Sequence, residues 1–274
     1  VPVKRPLTAP TRKPVVVSAT SPNAGVRSWY QRQIDDLLGA MHLDICARLG
    51  EALNETPIEG LAADAKSPVS NIDRVLKAWS KKWTLRFDKL SLDLSRRFAA
   101  KSFSATQASM EAALKRAGFT IKFQPTKHAL EAYKSVIAEN INLIRSISEE
   151  YHRDVQTAVW TSVRAGGKMS TLSKNLHKTY GVSVKRAALI ARDQNAKATA
   201  TIENTRRQQL GIKQAIWQHS SAGKEPRPTH VAMNGKMYDL NKGMWDSDEK
   251  EFVLPGQLIN CRCTSRAIIP GFED

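Results

Sequence analysis

The sequence predicts a mainly α-helical N-terminal region followed by a small α+β C-terminal domain. Apolar residues recur at spacings of three and four from about residue 24 to about residue 209, the mark of helices with one buried face. Beyond Gly211 that periodicity stops, and short β-prone runs separated by turn dipeptides replace it. Ahead of the first helix, Pro2, Pro6, Pro10, Pro14 and Pro22 remove backbone donors and block helix. The expected division is an extended basic tail over about 1–24, a helical region over about 25–124, a helical core over about 125–210, and an α+β domain over about 211–274 that carries a Cys-x-Cys.

The tail holds Lys4, Arg5, Arg12 and Lys13 with no acidic partner, so it reads as an extended segment that needs a partner surface to become ordered. A helix over about 24–54 follows from the stripe Tyr30, Ile34, Leu37, Met41, Ile45, Leu49 and Leu53, flanked by Cys46. Pro57 and Gly60 mark its break. Ile72, Leu76, Trp79, Trp83, Phe87, Leu90, Leu94 and Phe98 form the clearest stripe, with Ser70 placed to cap the first turn and Lys77, Lys81, Lys82, Arg86 and Arg96 opposite. At this spacing Trp79 and Trp83 belong to a core rather than a ligand platform. A shorter helix over about 104–117 ends at Gly118, and Thr120 to Phe123 read as extended.

Pro125 opens the next helical stretch, whose stripe is Ile137, Ile141, Ile144, Ile147, Tyr151, Val155, Val159 and Val163. Ser146 and Glu149 have the spacing of a capping box, which predicts a bend near 146. After Gly166-Gly167, a short helix over about 170–179 is closed by Gly181, and another runs from Ser183 to about 209. In the last segment, Ile212 to Trp217, Lys236 to Leu240 and Ser265 to Ile269 read as strands, and Asn234-Gly235 reads as a hairpin turn. So small a sheet buries little apolar area and needs its lead-in helix, a metal or a partner.

The formal net charge of +16 favours a polyanionic neighbour, nucleic acid or an acidic protein surface. From Arg164 to Lys213 eleven lysines and arginines face only Asp193 and Glu203, and Lys174, Lys178, Lys185, Arg186, Arg206 and Arg207 are the candidate DNA-facing residues. A solvated basic face without a partner is the alternative. No segment approaches the length of a membrane span, and Val15-Val16-Val17 is too short for a signal-peptide core. Three cysteines are too few for a disulfide-built fold, so the chain reads as a product made in a reducing cytosol.

The sharpest local feature is Asn260-Cys261-Arg262-Cys263. Two thiols one residue apart on extended chain point the same way and can meet one metal. With His219 and His230 upstream they form a four-ligand set suited to a structural zinc. The competing reading is a pair of reduced, packed cysteines with His230 hydrogen-bonded to a backbone group or carboxylate. A Cys261 nucleophile with His230 as base, oriented by Asp239, Asp246 or Asp248, is the catalytic alternative. No Walker loop, dinucleotide fingerprint, His-Glu-x-x-His or serine elbow is present, and the chain is read as a non-enzyme. Arg227 and Arg262 are candidates for ion pairs with Asp246, Asp248 or Glu249 that tie short loops together.

The ordered series Ala191-Arg192-Asp193-Gln194, Gly211, Trp217, Arg227-Pro228-Thr229-His230, Met233-Asn234-Gly235-Lys236, Pro255 and Asn260-Cys261-Arg262-Cys263 resembles the phage Mu F-like minor head protein family. Ile137-Ala138-Glu139-Asn140 with Leu143-Ile144 and Ser146-Ile147 is similar to it as well. The resemblance implies a minor structural head protein of a tailed bacteriophage, acting in head assembly. Its implied partners are the portal, the major capsid protein and packaged double-stranded DNA. Its implied place is the virion head or head–neck junction, after synthesis in the host bacterial cytoplasm. A DNA-binding accessory protein at the packaged genome is the second functional expectation, and a cysteine/histidine-dependent enzyme the third. Arg192, Trp217, Arg227, Gly235, Asn260 and Arg262 would be structural, with Arg192 and Trp217 pinning helix to sheet. Many members carry a cysteine pair where this chain has Arg227 and His230, so a metal here needs His219 or an acidic residue as a substitute ligand. The helices over about 25–124 would then form an attachment region.

Overall fold

A computed structural model describes residues 13–55, 68–164, 169–221 and 225–270. The element order is β1 (Val15–Val17), α1 (Ala24–Glu55), α2 (Pro68–Arg116), α3 (Lys127–Arg164), α4 (Met169–Gln209), β2 (Gln214–Gln218), α5 (Pro228–Met233), β3 (Met237–Asp239), β4 (Met244–Asp246), β5 (Glu251–Val253) and β6 (Thr264–Ile269). Long helices followed by small antiparallel sheets and one short helix are the expected fold class.

Several expected breaks are absent. The helices foreseen over 70–98 and 104–117 are one helix, α2, and Ser70 lies inside it rather than at its cap. Ser146 does not start a helix: its hydroxyl donates to Leu143 O within unbroken α3. Gly181 is passed over by α4, because a glycine in a helix interior lowers stability without forcing a stop. Gly211, at φ +70, does follow the end of α4.

The described residues gather into two compact units, one from the ranges 1–28, 96–137 and 191–274, the other from 29–95 and 138–190. The described residues of the second unit are helical. Its core contains Tyr30, Ile34, Leu38, Met41, Trp79, Trp83, Phe87, Ile144, Tyr151 and Val155. Leu38 rather than Leu37 holds the place in the α1 stripe, which keeps the four–three–four spacing from Ile34 to Ile45. Each large polar ring buries its body and satisfies its tip: Tyr30 donates to Asn140 Oδ1 at 2.7 Å, Trp79 to Met41 O at 3.2 Å and Trp83 to Asp44 at 2.7 Å.

The first unit holds the sheet that positions the site. Its strand order is β1-β6-β2-β3, all antiparallel, while β4 and β5 form a separate hairpin. The proline-rich stretch is therefore not wholly a tail. Val15–Val17 pairs with Ala267–Ile269, and Val17 is buried in the unit's core with Phe119, Ile212, Trp217, Tyr238, Leu240 and Ala267. A strand added to an open edge satisfies its backbone donors in the ladder, which removes the need for an outside partner at these residues. The remainder of the tail, 1–12, lies outside the described residues. Asn234-Gly235 is not a hairpin turn either. Asn234 caps α5, and Gly235, at φ +78, donates to Trp217 O at 2.9 Å, setting β3 beside β2.

Candidate metal centre

Three elements bring the chemistry together within the first unit. Pro228 begins α5 and pre-sets its first turn, placing His230 on the buried face. Asp246 closes β4, where it is fully buried. Cys261 and Cys263 sit on the extended chain leading into β6, and both are buried and reduced. Alternation along that segment puts both thiols on one face. The ligand atoms of His230, Cys261 and Cys263 all lie within 4.8 Å of one another.

The imidazole is held between the sulfurs and a carboxylate. His230 Nδ1 is 3.4 Å from Cys261 Sγ and 3.6 Å from Cys263 Sγ. On its far side Nε2 is 3.2 Å from Asp246 Oδ2. Nε2 lies beside the carboxylate without hydrogen-bond geometry, and Nδ1 is the ring nitrogen that faces both sulfurs. Trp217 packs edge-on against the ring, with centroids 5.1 Å apart. Burial alone would resist ionisation of Asp246. The amides of Asp248 and Glu249, the Thr229 hydroxyl and His230 outweigh it and hold the carboxyl below its ordinary range.

The two thiols titrate as a coupled pair. A hydrogen bond from the Cys263 thiol lowers Cys261, despite burial, with His230 and the Gly256 amide adding to the effect. Cys263 is pushed up by donating to Cys261, by burial and by repulsion from the Cys261 thiolate. Two adjacent sulfurs, an imidazole nitrogen facing both and a carboxylate behind the ring make a donor set fitted to a soft or borderline divalent ion. The metal-free arrangement is also self-consistent as a hydrogen-bonded cluster.

His219 is not among the three clustered ligands. It follows β2, where its backbone N–H donates to Asn234 Oδ1 at 2.9 Å, and it lines a cavity of about 50 Å³ with Glu225, Arg227, His230 and the two cysteines. Among the expected structural residues, Arg192 donates to Asn260 Oδ1 at 3.1 Å, and Asn260, at φ +61, donates its backbone N–H to Asp193 at 2.6 Å. Arg227 donates to Ile259 O at 3.1 Å and approaches Glu249 only at 3.8 Å. Of the three candidate acids, Glu249 is the one paired with Arg227, and Asp246 lies beside His230 instead. Arg262 lines the cavities on either side of the Cys-x-Cys segment.

The candidate DNA-facing set separates. Lys174, Lys178 and Lys185 are exposed. Arg206 and Arg207 are buried, which removes them from any phosphate-facing surface. Arg206 donates to Gln124 O, Gln107 and Gln209. Arg207 donates to Glu203 at 2.6 Å and to both the hydroxyl and carbonyl oxygens of Ser265 on β6. Arg186 is half-buried and paired with Glu150. Sequence reasoning missed that Arg207, rather than Arg192, ties α4 to the sheet. The signal was present in the i, i+4 spacing of Glu203 and Arg207 within a helix otherwise poor in acids.

No described helix is long and apolar enough to cross a membrane. Residues 153–266 match the model of the family described as Phage Mu protein F like protein, and this supports the phage Mu F-like resemblance. The matched stretch includes α4, the clustered His230, Cys261 and Cys263, Asp246, and the Arg192–Asn260 and Arg207–Ser265 ties. An uncharacterized protein of Haemophilus influenzae is 24% identical over 250 residues, covering 89% of this chain and 54% of its own length. The chain thus spans about half the length of this curated relative. No solved structure matches.

Proposed function

Starting from the match of residues 153–266 to phage Mu protein F like proteins, we propose that this chain is a minor structural head protein of a tailed bacteriophage, acting in head assembly in contact with the portal or the major capsid protein. The carrying observation is where the match falls. Its polar residues are spent on internal ties: Arg192 to Asn260, Arg207 to Glu203 and Ser265, and Asp246 to His230. Such ties hold loop-rich chain in one shape, as a scaffold piece requires. The helices over 25–124 serve as the attachment region, and the virion head or head–neck junction is the place of action. Mass spectrometry of purified virions finds the protein, and its deletion yields defective heads. Its absence from particles, with normal heads after deletion, overturns the reading.

The cluster of His230, Cys261 and Cys263 takes a structural zinc in this reading. The ion would join α5 to the segment before β6 and supply the cross-link that a small sheet needs. Elemental analysis of purified protein tests this directly, and cobalt substitution adds a thiolate-to-metal absorption band that Cys263→Ser removes. Packaged double-stranded DNA is a partner for exposed Lys174, Lys178 and Lys185. Retention that falls steeply with salt and is relieved by replacing these lysines supports it.

A second reading is favoured by the Cys261–His230–Asp246 line, which has the order of nucleophile, base and orienting carboxylate. Against it, both sulfurs share one ring nitrogen and both are buried. Rapid alkylation of Cys261 at neutral pH in metal-free native protein favours this reading, and protection of the thiol favours the structural one.

A further inference from the structure

Within the first unit, bordering the metal cluster through Ser220 and Arg262, a cavity of about 500 Å³ is lined by Arg27, Arg192 and Arg262 together with Asn195, Ser220 and Thr264. None of its described lining residues is acidic. The three arginines come from three different parts of the chain: the first turn of α1, the middle of α4 and the Cys-x-Cys segment. Their convergence is therefore a product of the fold and not of one basic run. Arg262 is there because Cys261 and Cys263 face inward, which turns the intervening side chain to the opposite side.

The cations repel one another: burial first, then Arg262 and Arg27, disfavour the charged form of Arg192. The nearest compensating acid, Asp193, is already engaged by the Asn260 amide at 2.6 Å and Lys197 at 3.3 Å. Ala24 lines the cavity too, so the start of the 32-residue α1, which has no acid in its first turn, borders it, with the Val26 amide already capped by Asn23 Oδ1 at 3.0 Å. Folded protein gathers like charges around a hollow where an anion offsets them.

We propose that this cavity binds a phosphate group. A phosphate dianion suits three converging guanidinium groups better than a carboxylate does, since it carries more charge and offers more acceptor oxygens. The volume lies in the range of small-molecule sites, leaving room beside the phosphate for the remainder of a nucleotide. Its sources are a small phosphate ester or the terminal phosphate of a nucleic-acid strand.

Calorimetric titration of the full chain with inorganic phosphate tests the site. Saturable binding is expected, weakened about tenfold or more by Arg27→Gln, whose exposed side chain makes it a variant that keeps the fold. Lys81→Gln, an exposed lysine outside this unit, leaves binding unchanged. Displacement by a short DNA duplex then separates the sources. A duplex with 5′-phosphates that competes, where the same duplex without them does not, assigns the strand end, and competition by neither assigns a small ester. No saturable binding, no effect of Arg27→Gln, or an equal loss in Lys81→Gln overturns the proposal.

Discussion

Replacing Arg207 with methionine removes the central tie between α4 and β6 and leaves a carboxylate stranded. Arg207 and Glu203 are 3% and 5% exposed, so neither charge has water to fall back on. In the native protein the guanidinium makes three bonds of 2.6–2.7 Å, to Glu203, Ser265 Oγ and Ser265 O. Glu203 also accepts from the Thr20 amide at 3.2 Å. Breaking a buried pair by removing one partner costs about 3–5 kcal/mol, most of it the price of the unpaired survivor. Burial already raises the Glu203 carboxyl above its ordinary range despite Arg207, and losing Arg207 raises it further. With the folded-state value above the unfolded one, the native form binds more protons. Stability is then fully present below the unfolded value and is lost as pH rises through the folded value. The deficit of Arg207→Met is therefore expected to be largest at neutral pH and to shrink as Glu203 protonates. Urea unfolding of the full chain followed by circular dichroism measures it. A double variant, Glu203→Leu with Arg207→Met, should regain most of the loss, because two apolar side chains carry no stranded charge. A single-variant loss below about 1 kcal/mol, or a loss that does not change with pH, would refute an electrostatic origin.

Asp246→Asn should weaken metal affinity about 10–100-fold, read by competition with a chromophoric chelator, because His230 loses the carboxylate charge beside its Nε2; unchanged affinity would leave Asp246 without a role in the cluster. His152 is buried edge-on against Trp79, and burial pushes it down to about 4. Its contribution is thus intact above the unfolded value near 6.5 and is lost as pH falls toward 4. His152→Phe should flatten that acid-side loss, which amounts to no more than about 3 kcal/mol, in urea titrations at pH 7 and pH 4.5. Gly243, at φ +83, leaves no room for a side chain, since a Cβ there would lie 2.5 Å from Val253 O. Gly243→Ala should cost on the order of 2 kcal/mol or more and loosen the β4–β5 hairpin, seen as faster amide exchange at Phe252 and Val253.

What was readable beforehand follows from the range of each interaction. Helical stripes report a helix's own periodicity, so Ile34, Met41, Trp79, Tyr151 and Val155 could be placed in a core from spacing alone. The small sheet after Gly211 was legible from the loss of that periodicity. So was the closeness of Cys261 and Cys263, since one residue separates them. The strand Val15–Val17 was not, because its partner β6 lies at the other end of the chain and nothing local records a ladder. Asp239, Asp246 and Asp248 were equivalent companions of His230 on paper, and only the β4–β5 hairpin selects Asp246. Arg206 and Arg207 read as surface charge because basic residues are seldom buried unless paired. Their partners, Gln124 O and Ser265, lie far from them in sequence.

The pairing of β1 with β6 imposes an order on biosynthesis. The sheet needs the first and the last of the described strands to leave the ribosome. Until Thr264–Ile269 emerges, Val15–Val17 has no partner and β2 keeps a bare edge able to recruit a neighbouring chain. Closure of that unit is consequently a late, long-range event, and a nascent chain stalled just short of Thr264 is the form most exposed to aggregation.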